Sequence, residues 1–130
     1  MKGKVQYPIF EATVNAFTHE TGGRRNPVDL ALGKYRPHII VTNQIPEKGG
    51  LVSLILDEYK LLGVVFLKPR VVGLVESYII QPKVPFDIEL VCVYPTRVSY
   101  DALQKGVPFL WLEGERIVGH GIIGDFIEAI

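Results

Sequence analysis

The stretch Phe10-Glu11-Ala12-Thr13-Val14-Asn15-Ala16 decides how the rest of the chain is read. Phe10, Ala12, Val14 and Ala16 recur at period two while Glu11, Thr13 and Asn15 fill the alternate positions, the pattern of a strand with one face in a core and the other in water. The alternation returns in Asp87-Ile88-Glu89-Leu90-Val91-Cys92-Val93-Tyr94, where Ile88, Leu90, Cys92 and Tyr94 share a face and Pro95 stops the run. Val107 to Leu112 and Arg116 to Ile123 are two apolar runs joined by Glu113-Gly114-Glu115, a hairpin signal. Tyr35 to Val41 follows the loop Thr18 to Lys34; Leu51 to Leu56 and Tyr59 to Phe66 flank an Asp57-Glu58 turn; Val71 to Ile80 lies between Pro69 and Pro82. Only Ser99 to Lys105 could coil, for about two turns. Many short strands with no βαβ alternation predict an all-β fold, a closed antiparallel barrel or a sandwich, in one domain over residues 1–130.

Fourteen Lys plus Arg balance fourteen Asp plus Glu, so the chain lacks the bulk positive charge of a dedicated nucleic-acid or membrane-surface binder. Any basic site must be local. Cys92 is the single cysteine, which rules out an intramolecular disulfide, and the first residues carry no apolar leader; a cytoplasmic location is the expectation. Gly, charge or Pro breaks every apolar run well before the ~20 residues of a membrane-spanning helix.

Motifs for chemistry are mostly missing. A phosphate-cradling loop would need Gly at position 28, where Val stands, and Ser or Thr at position 35, where Tyr stands. His19, His38 and His120 show no metal-ligand spacing, and none of Ser53, Ser77 and Ser99 lies in a nucleophile-elbow motif. No cofactor and no metal are expected, and Cys92 reads as a small core residue. The dense polar stretch is Thr18-His19-Glu20-Thr21-Gly22-Gly23-Arg24-Arg25-Asn26-Pro27, followed by Gly33-Lys34-Tyr35-Arg36-Pro37-His38. Paired glycines allow a backbone excursion that delivers two arginines, whose planar forks suit phosphates or carboxylates. Alternatively these arginines pair with local acids and close a barrel end.

At this loop the sequence resembles the C-terminal β-barrel, domain 3, of elongation factor Tu. That domain runs from a strand of FEAEV type through GGR to GYRPQ, matched here by Phe10 to Val14, Gly22-Gly23-Arg24 and Tyr35-Arg36-Pro37-His38. A strand ending in proline, a short turn and a closing hairpin of EGGRTVGAGVV type look like Ile88 to Pro95, Ser99 to Leu103 and Glu113 to Ile123. Residues 43–70 have no counterpart and are expected to form an insertion of extra strands or loop. The resemblance implies a six-stranded antiparallel barrel that contacts the tRNA T-stem backbone and protein partners, with no GTPase domain attached.

Carried over residue by residue, the implied contact positions are Arg24, His38 in place of a glutamine, Tyr94 in place of a lysine, and Leu112 in place of an arginine, ahead of Glu113 and Gly114. Two cations are lost, so binding of aminoacyl-tRNA is expected to be weak and electrostatic. The expected function is a non-enzymatic binding module that docks a protein or an RNA backbone through Arg24, Arg25, Arg36, His38, Glu113 and Gly114. The alternatives are a protein-interaction or immunity-type partner and an enzyme with a site at a barrel mouth. Within the binding surface, Arg24 is expected to project freely from a flexible GGR loop, whereas Arg36 is expected to sit in an internal ion-pair cluster with Glu11, Glu20 or Asp29.

Overall fold

The computed structural model describes residues 5–51, 61–69 and 78–130. Nine strands lie among them: β1 (Pro8–Ala16), β2 (Val28–Asp29), β3 (His38–Val41), β4 (Gly50–Leu51), β5 (Leu62–Leu67), β6 (Ile79–Ile80), β7 (Phe86–Cys92), β8 (Pro108–Glu113) and β9 (Arg116–Ala129). Six close a ring in the order β1-β7-β5-β3-β8-β9, with β9 pairing back onto β1 and every neighbour antiparallel. The result is a closed six-stranded barrel, which leaves its wall without open edges. Among the described residues no helix is long and apolar enough to cross a membrane.

Period two puts Ala12, Val14, Ile39, Val64, Phe66, Ile88, Leu90, Cys92, Phe109, Trp111, Val118 and Ile123 into the barrel core. The outward positions are not all wet. Ile40, Leu110, Leu112 and Ile117 are buried beneath Phe17, Ile45 and Leu61, and Ile9, Val65 and Val91 pack with Leu67, Val93 and Ile127. A second apolar layer outside the wall therefore explains why β5 and β8 read as unbroken hydrophobic runs rather than as alternation.

Four expectations change. The 43–70 stretch is divided: β4 is an addition on β9, but β5 is one of the six barrel strands, and Leu62, Val64 and Phe66 fill the core. Tyr35 to Val41 becomes strand only from His38, because Pro37 has no N–H for the ladder; the carbonyls of Tyr35 and Pro37 still accept from Phe66 and Val64, each at 3.1 Å. β9 runs on to Ala129 past the expected stop at Ile123, with register shifts against β1 that hide it from a search for simple alternation. Ser99 to Lys105 forms turns rather than a helix, the Asp101 N–H bonding Ser99 Oγ at 3.2 Å and the Leu103 N–H bonding the Tyr100 carbonyl at 2.9 Å. The runs proposed for 52–56 and 71–77 lie outside the described residues.

The two mouths differ. β2 and β6 form a separate two-stranded ribbon that sinks Val28, Leu30 and Ile80 into one mouth, leaving a void of about 10 Å³ among Ala16, Arg24, Ile80, Trp111 and their neighbours. At the start of β1 the other mouth is a groove beside Phe10 and Phe126.

Candidate functional site

The GGR loop begins with a single 3-10 turn, His19–Thr21, in which Thr18 Oγ1 accepts from the Thr21 N–H at 3.2 Å and Gly22 closes the turn at φ 95°. Its glycines serve packing more than freedom. A Cβ on Gly22 would collide with the Gly49 backbone, and one on Gly23 with the Phe17 carbonyl. The Gly49 N–H donates to the Thr21 carbonyl at 2.7 Å, and Arg116 Nη1 donates to the Gly22 carbonyl at 3.0 Å. The loop is pinned between β4 and the β8–β9 hairpin, which corrects the expectation of a flexible excursion.

Pinning aims Arg24 inward along the rim. Its Nε lies 2.8 Å and 3.1 Å from the two Glu113 carboxylate oxygens, and its guanidinium sits over the Tyr35 ring at 5.6 Å. The Tyr35 hydroxyl donates to Glu113 Oε2 at 2.5 Å and accepts from the Trp111 indole N–H at 2.9 Å. Trp111 is fully buried and meets Phe66 edge to face, as Tyr35 does. Arg24, Glu113, Tyr35 and Trp111 thus form one continuous chain from solvent to core. Burial raises the Tyr35 phenol far above its ordinary value, and its hydrogen bond to the Glu113 carboxylate pushes the same way.

Glu113 owes its position to the hairpin: it pairs with Arg116 across a two-residue turn whose first residue, Gly114, has φ 61°, the glycine-first geometry that suits strand twist. His38 lies opposite Leu112 one step down the wall and is exposed. Arg25, Arg36 and Gly114 are exposed as well. The internal ion pair expected of Arg36 is made instead by Arg24, and its acid is Glu113 rather than Glu11, Glu20 or Asp29. Arg36 pairs with no carboxylate among the described residues. Asp29 spends its carboxylate on the Ala31 N–H at 2.9 Å, capping the turn Leu30–Leu32. So the expected residues divide: Arg24 and Glu113 are locked together, while Arg25, Arg36 and His38 face solvent.

Tyr35, Trp111 and Arg116 were not singled out for this rim by sequence, since they meet their partners only through pairings 76 to 94 residues apart. Tyr94, read as sharing a face with Cys92, leaves the strand at the Pro95 turn, where the Arg97 and Val98 N–H groups both bond its carbonyl, and stays 43 % exposed with its ring against Gly63. Cys92 and His120 sit among apolar neighbours. Burial pushes the Cys92 thiol up to about 12, consistent with a small core residue. His120 is half-buried beside Phe17, which lowers its pKa, and its flanking glycines make room for neighbours: a Cβ on Gly119 would strike the Trp111 ring and one on Gly121 the Phe109 ring. No three Asp, Glu, His or Cys side chains among the described residues gather in a way that could hold a metal ion. In comparison with known proteins, no family model and no curated sequence matches the chain.

Proposed function

We propose that the chain is a binding module whose plugged mouth docks the phosphate backbone of an RNA. The observation that supports this is the division of the rim: Arg24 is consumed by Glu113, whereas Arg25, its neighbour along the chain, and Arg36, the chain neighbour of Tyr35, stand exposed with no carboxylate partner among the described residues. Cations on a braced rim lose little freedom when they meet a phosphate, and their planar forks match its geometry. With so few of them, binding is weak and salt-sensitive, in keeping with a chain of zero net charge. Fluorescence anisotropy of a labelled RNA stem-loop at low salt tests the reading. Saturable binding that weakens at least about tenfold in the Arg25→Ala/Arg36→Ala variant supports it, at a loss of about 1.4 kcal/mol. No binding, or binding that the variant leaves intact, overturns it.

A further inference from the structure

The unplugged mouth is a different kind of surface. A groove of about 730 Å³ opens there, with Pro8, Phe10, Val98 and Phe126 among its walls and Arg97 and Asp101 beside them. Phe126 is 57 % exposed and meets the half-buried Phe10 edge to face at 5.5 Å, so an aromatic ring stands in water at the end of the barrel. An exposed aromatic ring rimmed by polar and charged side chains is the kind of surface that meets another molecule.

The charges indicate what that is. Arg97 and Asp101 are both exposed, and neither pairs with an opposite charge among the described residues. Among the described residues the groove thus carries one cation and one anion around an aromatic centre. A basic partner would leave Arg97 opposed and an acidic partner would leave Asp101 opposed, but a surface with the same pair in reverse satisfies both. Such a surface exists on a second copy turned by a twofold axis, where each residue meets the other's counterpart. Strand-to-strand joining along the tail of β9, which runs past its pairing with β8 at Ile122 and so beyond the closed wall, is disfavoured, because that tail carries register shifts against β1 and the acids Asp125 and Glu128, features that blunt an edge.

We infer that two copies of the chain associate through this groove, Phe126 packing on Phe126 of the second copy and Arg97 pairing with Asp101 of the second copy in both directions. Sedimentation velocity of the full chain, from micromolar to submillimolar concentration, reads the association directly. Dimer is expected to form as concentration rises. Arg97→Asp and Asp101→Arg each raise the dissociation constant about tenfold, and Phe126→Asp abolishes the dimer. The double charge swap Arg97→Asp/Asp101→Arg restores the ion pairs in reverse and returns the constant to within about threefold of the original. All three side chains are exposed, and circular dichroism confirms that each variant is folded. A chain that stays monomeric throughout, single charge variants that associate as well as the original, or a double swap as weak as the singles would each overturn the inference.

Discussion

Where β1 ends, Ala16 shares a nearly filled void with Val28, Ile80 and Trp111, and the rim above it is tied by ion pair and hydrogen bond; where β1 begins, Phe10 and Phe126 meet in an open groove with unpaired charges beside them. The same strands run through both mouths, so the strands themselves do not set the difference. It comes from what the connecting segments bring. At the plugged mouth, the segment from Thr18 to Lys34 carries both an apolar ribbon strand and Arg24, and the β8–β9 hairpin offers Glu113 to meet it. At the open mouth, the turn from Pro95 to Leu103 brings charges that find no counterpart among the described residues. Satisfied polar groups make a rigid edge that can present other residues, and unsatisfied ones make a surface suited to another molecule.

The contrast is broken most severely at Trp111. Trp111→Ala removes a fully buried ring, its contact with Phe66 and the donor to Tyr35, and is expected to cost about 3–5 kcal/mol in urea unfolding, against about 1 kcal/mol for Phe126→Ala at the open mouth, which loses its edge-to-face contact with Phe10. Comparable losses at both positions would mean that the mouths are packed alike. Next in size is Glu113→Ala, which takes the acceptor from the Tyr35 hydroxyl and the counter-charge from Arg24; a loss of about 1–3 kcal/mol is expected in the same assay.

Much of the contrast was legible in the sequence only as a wall. Alternation in Phe10 to Ala16 and Asp87 to Cys92, and the hairpin at Glu113-Gly114-Glu115, located β1, β7, β8 and the start of β9 because side-chain period and turn chemistry are local. Tyr59 to Phe66 reads as an extended run and covers most of β5, but the resemblance puts it in an insertion, and an apolar run covered on both faces carries no alternation to show that it belongs to the barrel wall. At the rim, the residue types were visible and their partners were not. Arg24 and Arg36 look equivalent in sequence; what separates them is that Gly22 and Gly23 press the loop against Gly49 and Phe17, which carries Arg24 to Glu113, 89 residues away.

Alkaline pH sharpens the comparison at a single atom. The folded chain holds the Tyr35 phenol above its ordinary value, so above about pH 10 the unfolded chain releases a proton that the folded chain keeps, and stability falls as pH rises. Below that pH the contribution is fully present. Tyr35→Phe is expected to flatten the alkaline decline by about 1.4 kcal/mol per pH unit, while the burdens from Cys92 and Tyr100, raised by burial, remain in both proteins. A decline unchanged by the substitution would show that the phenol ionises freely in the folded state.

Arg24 braces the rim while Arg36 faces solvent with no carboxylate partner among the described residues, and the two are separated most directly by urea unfolding of Arg24→Ala and Arg36→Ala side by side. Arg24 is partly exposed, so its loss is expected to cost only about 1 kcal/mol, with Arg36→Ala within about 0.5 kcal/mol of the original. Equal destabilisation by both, or a larger loss from Arg36→Ala, would contradict that contrast.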